Sequence, residues 1–264
     1  MIGISKLYCG AVEPGDVLRY GRESGKLPSH LLQFSADKKP VVVWNVTRRC
    51  NLRCIHCYSS SRDVEYRDEL STAEGRALID DLADFGAPVI LFSGGEPLMR
   101  PDLSELVHHA AARGVRAVIS TNGTRITEAF AAQFRDIGLS YVGVSLDGLE
   151  PTHDRFRGRA GAFAEAIRGI RICREAGIKV GVRFTMNRLN VRDIPAIFDL
   201  LEAEDIPRAC FYHLVYSGRG SKLMEEDLSH AESRAVLDLI MDRTRSLFDR
   251  GNPKEILTVD NHAD

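Results

Sequence analysis

Two hydrophobic periods alternate along the chain. Residues 41–46, VVVWNV, are a short run rich in β-branched side chains, as expected of a buried strand. Residues 71–86, STAEGRALIDDLADFG, then carry apolar positions at helical spacing. Ser71 is a good N-cap, Glu74 completes a capping box, and Gly86 ends the run. The same pair recurs. Strand 88–95 leads to helix 101–114, with Pro101 near its start and Gly114 past its end. Strand 115–123 leads to helix 126–138, strand 140–148 to helix 161–177, strand 178–187 to helix 191–206, and strand 208–218 to helix 230–251.

Six strand–helix units in series predict an α/β fold, a parallel sheet with outer helices joined by right-handed crossovers. The pattern leaves open whether the sheet is flat and doubly wound or curved into a partial barrel. Either form puts a ligand site beyond the carboxyl ends of the strands. The flanks differ from this core. Residues 1–40, with Gly10, Gly15, Gly21, Gly25, Pro14 and Pro28, read as an irregular or partly helical N-terminal arm. The expected layout is an arm over 1–40, the repeated domain over 41–251, and over 252–264 the start of a C-terminal region that is cut short.

Composition narrows the classes. The 264 residues are 44% hydrophobic and 27% charged with a formal net charge of −2, ordinary for a globular protein with a sizeable core. No basic excess points to nucleic acid or to an anionic membrane. Neither a secretory signal nor a spanning apolar run is evident. The expectation is a cytoplasmic protein with reduced thiols, no nucleic-acid partner and no membrane.

Against that background, Cys50, Cys54 and Cys57 in CNLRCIHC call for chemistry. The loop directly follows the first predicted strand, at the end where ligands bind. A disulfide suits neither a reducing compartment nor an odd count. Structural zinc wants four ligands, and His56, flanked in a tight loop, is a poor fourth. An iron–sulfur cube held by three thiolates fits better and leaves one iron open. Cys173 and Cys210 lie in a predicted helix and strand and read as core; Cys9, on the arm, reads as incidental.

The Cys-x-x-x-Cys-x-x-Cys spacing after the first strand of a repeated β/α domain resembles the radical S-adenosylmethionine (SAM) superfamily. The resemblance runs from about residue 41 to 218 or beyond and implies a partial (β/α)6 barrel. It implies a [4Fe–4S] cluster on Cys50, Cys54 and Cys57 whose open iron chelates SAM. One electron then cleaves SAM to methionine and a 5′-deoxyadenosyl radical that abstracts hydrogen from substrate. An electron donor such as flavodoxin or ferredoxin is implied as a partner. SGGEP ends the second strand, and the resemblance gives Gly94, Gly95 and Glu96 the methionine amino group. STNG and SLDG end the third and fourth strands. Their Asn122, Ser145 and Asp147 are expected at the SAM ribose and carboxylate, although such residues also cap strand ends. Arg183, an arginine inside an apolar strand, wants a partner, and similar proteins use this place for the SAM carboxylate. His56 stands where the family often has an aromatic near the adenine.

The flanks MIGISKLYCGAVEP, VVVWNVTRRCNLRCIHCYSSS and YHLVYSGRG resemble the tetrapyrrole-modifying branch. That resemblance implies removal of the two acetate side chains of 12,18-didecarboxysiroheme to give Fe-coproporphyrin III. Sister enzymes act on propionates in heme d1 biosynthesis, and related maturases modify ribosomal peptides; the arm is too short for their peptide-docking module. It also implies a second [4Fe–4S] cluster on cysteines of a C-terminal region that this sequence does not reach. The residues add one observation. Arg48, Arg49, Arg125, Arg155, Arg157, Arg159, Arg188 and Arg219 all fall in segments that follow strands. Guanidinium groups suit the carboxylates of an acidic macrocycle, with Arg155 and Arg157 the leading pair.

Overall fold

The computed structural model describes residues 2–11 and 39–259. Eight strands form one sheet in the order β1-β8-β7-β6-β5-β4-β3-β2. They are β1 Ile2–Gly3, β2 Val42–Thr47, β3 Val89–Gly94, β4 Arg116–Thr121, β5 Tyr141–Ser145, β6 Val180–Thr185, β7 Arg208–Tyr212 and β8 Glu255–Val259. From β2 to β8 each strand pairs in parallel with the next in sequence. Strand order never reverses, so there is no doubly wound switch point, and the sheet curves as a half-barrel.

The helices are α1 Ile4–Cys9, α2 Thr72–Phe85, α3 Leu103–Ala112, α4 Glu128–Asp136, α5 Glu150–Arg157, α6 Ala162–Glu175, α7 Ile194–Ala203 and α8 His230–Asp249. The capping box expected at the start of α2 is present: Ser71 Oγ accepts from the Glu74 N–H, and Glu74 accepts from the Ser71 N–H. Gly86 closes the helix in the left-handed conformation at φ 85°. Alternate strand residues point outward beneath the helices. Ile119, Val142, Val144, Val182, Phe184 and Phe211 join Ile170, Ile197 and Phe198 in the main core. The opposite residues face the barrel interior, where polar side chains gather.

Three features depart from the six-unit expectation. β8 is a seventh parallel strand, built from the stretch read as an unfinished start. The arm supplies its other neighbour: Ile2 and Gly3 pair antiparallel with Thr258 and Leu257. Residues 12–38 of the expected arm lie outside the described residues. Finally, α5 occupies a stretch read as loop. Its buried face is Thr152, His153, Phe156 and Arg157, with a single large apolar side chain in eight residues. Cys173 sits in the main core as expected. Cys210 is buried with Leu257 and Val259 in a separate small cluster.

Candidate active site

A cavity of about 300 Å³ opens at the carboxyl ends of the strands, and the cysteine loop forms one wall. The loop has little packing of its own and is strapped from three directions. Glycines supply the first. Gly95 N–H donates to Thr47 O (2.7 Å) and Glu96 N–H to Arg49 O (2.8 Å). A Cβ on Gly94 would lie 2.1 Å from Thr47 O, and one on Gly95 2.4 Å from Arg49 O. Only glycine allows that approach, and Gly94 adds a φ of 135°. The end of α5 is the second strap: Arg53 N–H donates to Arg157 O (3.3 Å) and Ile55 N–H to Phe156 O (2.9 Å). The third is Arg219, whose Nε donates to Cys54 O (2.6 Å) and Nη1 to Ser61 O (3.0 Å). Its own N–H donates to Cys57 O (2.8 Å).

The three thiols line the cavity together. Burial pushes Cys50 up to about 12 and raises Cys54, with Arg157 pulling the latter back. Cys57 is the exception. Burial raises it, but the Ser59 hydroxyl, the Ser61 and Ser59 N–H groups and Arg219 outweigh that and hold it below the ordinary thiol value. Among the described residues, no three His, Cys, Asp or Glu side chains converge as a single metal ion requires. Three thiols set apart around a cavity fit a polynuclear cluster, which offers each a separate corner. Buried polar atoms beside them remain unmatched: the donors Arg157 Nε and Arg219 Nη2, and the ring nitrogen His56 Nδ1, have no hydrogen-bond partner among the described residues. A sulfur-rich, anionic guest would meet them.

The remaining expected residues divide in two. Gly94, Gly95, Ser145 and Arg183 line the cavity. Arg183 lies over the Tyr212 ring at 4.6 Å and makes no ion pair among the described residues. Gly143 makes room for it, since a Cβ there would come within 2.9 Å of Arg183 Cδ. His56 also faces the cavity, packed on Phe156 with 5.4 Å between ring centroids. Burial lowers its pKa, Asp147 opposing, so the imidazole is neutral at pH 7.

Three expected contacts are already taken by the protein. Glu96 is wholly buried. Its Oε1 accepts from Thr121 Oγ1 (2.7 Å) and Leu98 N–H (3.1 Å), and its Oε2 from Asn122 N–H (2.8 Å). It ties β3 to β4 and is not among the residues that line the cavity. Burial raises its pKa against those bonds. Asn122 borders the cavity, but its amide donates to Asn51 Oδ1 (2.9 Å) and accepts from Thr124. Asp147 pairs with Arg157 at 2.6 Å and stands 3.5 Å from His56 Nε2.

The arginine ring also separates. Arg155 is exposed and donates to Leu189 O (3.4 Å), away from the cavity lining. Arg157 lines the cavity but is spent on Asp147 and on Cys54 Sγ, 3.5 Å away. Arg49, Arg159 and Arg188 pair with Asp63, Glu165 and Glu232. The expected pair of substrate arginines is therefore not assembled.

Two residues of the site have roles the sequence did not give them. Arg219 was named only among the arginines offered to substrate carboxylates, yet it straps the loop. A signal was there: Gly218 and Gly220 flank it. Gly218 has φ 58°, and a Cβ on it would lie 2.3 Å from Tyr58 O. His153 is fully buried, with Nδ1 accepting from the Asp147 N–H (3.1 Å), and burial drives its pKa down to about 3. Nothing in its local sequence marks it.

The family model described as the radical SAM superfamily matches residues 44–201. The Fe-coproporphyrin III synthase of Methanosarcina barkeri is 69% identical over 264 residues, covering all of this chain and 66% of that protein. The pre-heme d1 synthase of Dinoroseobacter shibae is 44% identical over 227 residues, covering 86% of this chain and 56% of that one. The chain thus spans less than two thirds of the length of either relative. Among solved structures, Streptococcus suis SuiB with its precursor peptide SuiA superposes with a TM-score of 0.71 at 17% identity, over 83% of this chain and 48% of that one. That likeness concerns the fold.

Proposed function

The chain belongs to the radical SAM superfamily, whose cofactors are a [4Fe–4S] cluster and SAM, and we propose that it removes the two acetate side chains of 12,18-didecarboxysiroheme to give Fe-coproporphyrin III. The observation that carries this reading is the 69% identity, sustained over every residue of the chain, to the M. barkeri synthase. Cys50, Cys54 and Cys57 hold the cluster in this reading. Gly94 and Gly95 line the floor under the SAM amino group, Ser145 faces the ribose and carboxylate, and Arg183 meets the carboxylate with a guanidinium that makes no ion pair among the described residues. His56 presents a neutral ring beside the adenine. When bound, the pair of cofactors supplies the one-electron chemistry that starts hydrogen abstraction. The chain's own task is to hold reactants in line and exclude water.

The partners in this reading are the siroheme derivative and a one-electron donor such as flavodoxin or ferredoxin. The compartment is the cytoplasm, where the six free cysteines stay reduced. Among the described residues no helix is long and apolar enough to cross a membrane. Anaerobic reconstitution with iron and sulfide, followed by dithionite as electron donor, SAM and 12,18-didecarboxysiroheme, tests the assignment. The expected products are 5′-deoxyadenosine and a macrocycle that has lost two acetates by mass spectrometry. SAM cleavage with the acetates intact would sink the substrate assignment, and loss from the propionates would move the chain to the heme d1 reaction.

A further inference from the structure

Asp147 and Arg157 form an ion pair directly behind a cluster ligand. Their side chains are 1% and 7% exposed, and Arg157 Nη2 lies 2.6 Å from Asp147 Oδ2. The same guanidinium donates from Nη1 to Cys54 Sγ at 3.5 Å. Several elements fix Asp147 through its carboxylate and its backbone. Thr185 N–H at the end of β6 donates to Asp147 Oδ1 (3.4 Å). His153 on α5 accepts the Asp147 N–H, and Asn190 Nδ2 donates to the Asp147 carbonyl (3.1 Å). Burial favours the neutral acid, but the Arg157 guanidinium holds the pKa of Asp147 below its usual value. A buried pair of this kind contributes little net stability compared with apolar packing. Stability is therefore a weak reason for its place, and proximity to the thiolate is a better one.

We propose that Asp147 and Arg157 act as positioning residues that set the reduction potential of the cluster, an inference that rests on the cluster assignment above. Reduction adds negative charge, so a guanidinium hydrogen-bonded to a ligand sulfur favours the reduced form and raises the potential. The carboxylate 2.6 Å from that guanidinium offsets the positive charge. The sulfur keeps its donor while the cluster is spared an uncompensated cation. The two charges act with opposite sign, and this separates the proposal from a structural role.

The test is an electron-paramagnetic-resonance redox titration of the reconstituted chain. Arg157→Gln is expected to lower the potential and Asp147→Asn to raise it. The double variant is expected to fall between them, and Arg157→Lys to stay nearer the wild type than Arg157→Gln. Shifts of the same sign in the two single variants would overturn the proposal, as would no shift in either. Loss of the cluster from every variant, Arg157→Lys included, would assign the pair to holding the loop and overturn it too. A wild-type chain that assembles no cluster would fail the earlier cofactor reading, and iron analysis of that sample tells the two failures apart.

Discussion

The two ends of the barrel interior are both polar, and they are built to opposite rules. At the carboxyl end, atoms of His56, Arg157 and Arg219 that are unmatched among the described residues sit beside three thiols around an open cavity. At the amino end the charges pair with one another, with only Arg208 Nε left without a hydrogen bond among the described residues. Glu255 is 1% exposed and lies 3.0 Å from Lys179 and 3.7 Å from Arg208, and Arg208 rests on the Tyr141 ring at 4.7 Å. Gly181 leaves space for this plug, since a Cβ there would lie 2.3 Å from Tyr141 Oη. Buried polar groups satisfied by the protein specify a fold, whereas those left over specify a guest. The same side-chain types serve either purpose, and what differs is whether the partner comes from the chain.

The comparison can be broken at either end. The largest effect is expected from Cys50→Ala, Cys54→Ala and Cys57→Ala together. SAM cleavage by dithionite-reduced protein falls to background and bound iron is lost, while the thermal melt moves little because these side chains lie outside the main core. Retained cleavage would refute the central assignment. Next is Glu255→Leu, which strands two cations at the closed end. About 2–3 kcal/mol of stability is lost in urea melts, less than the ~3–5 kcal/mol of a fully buried pair because Lys179 and Arg208 reach solvent. SAM affinity of the folded protein is unchanged. Gly181→Ala overpacks the same plug and costs about 1–3 kcal/mol in the same measurement. The smallest effect sharpens the open end. Ser145→Ala removes one cavity hydroxyl and weakens SAM binding about 2- to 10-fold by calorimetry, one hydrogen bond's worth, with stability within ~0.5 kcal/mol. A large drop in melting temperature there would class Ser145 with the closed end.

Legibility followed the hydrophobic pattern. Helix α2 was readable to its caps because a Ser–Glu box and a terminal Gly are local signals. Helix α5 was not, because its eight residues hold one large apolar side chain, Phe156, too few to display a repeating apolar stripe. The chemistry of the cysteine loop was readable because its ligands are neighbours in sequence. Its supports were not, since Arg157 and Arg219 lie 103 and 165 residues from Cys54. Glu96 and Asp147 were placed at the right end of the barrel, but their contacts went to Thr121, Asn122 and Arg157. A motif names residue types at a strand end, and it does not say which of them the neighbouring strand consumes.

By itself the sequence determined the order of the six central strand–helix units, the family and the three thiols, because local spacing carries each of them. Tertiary structure decided the rest. It turned an unfinished tail into a seventh parallel strand by pairing it with β7 and with Ile2–Gly3. It also decided which charged side chains answer one another and which face the cavity. That choice depends on distances of a few ångströms between residues far apart in the chain, where hydrogen bonds and ion pairs are made or left open.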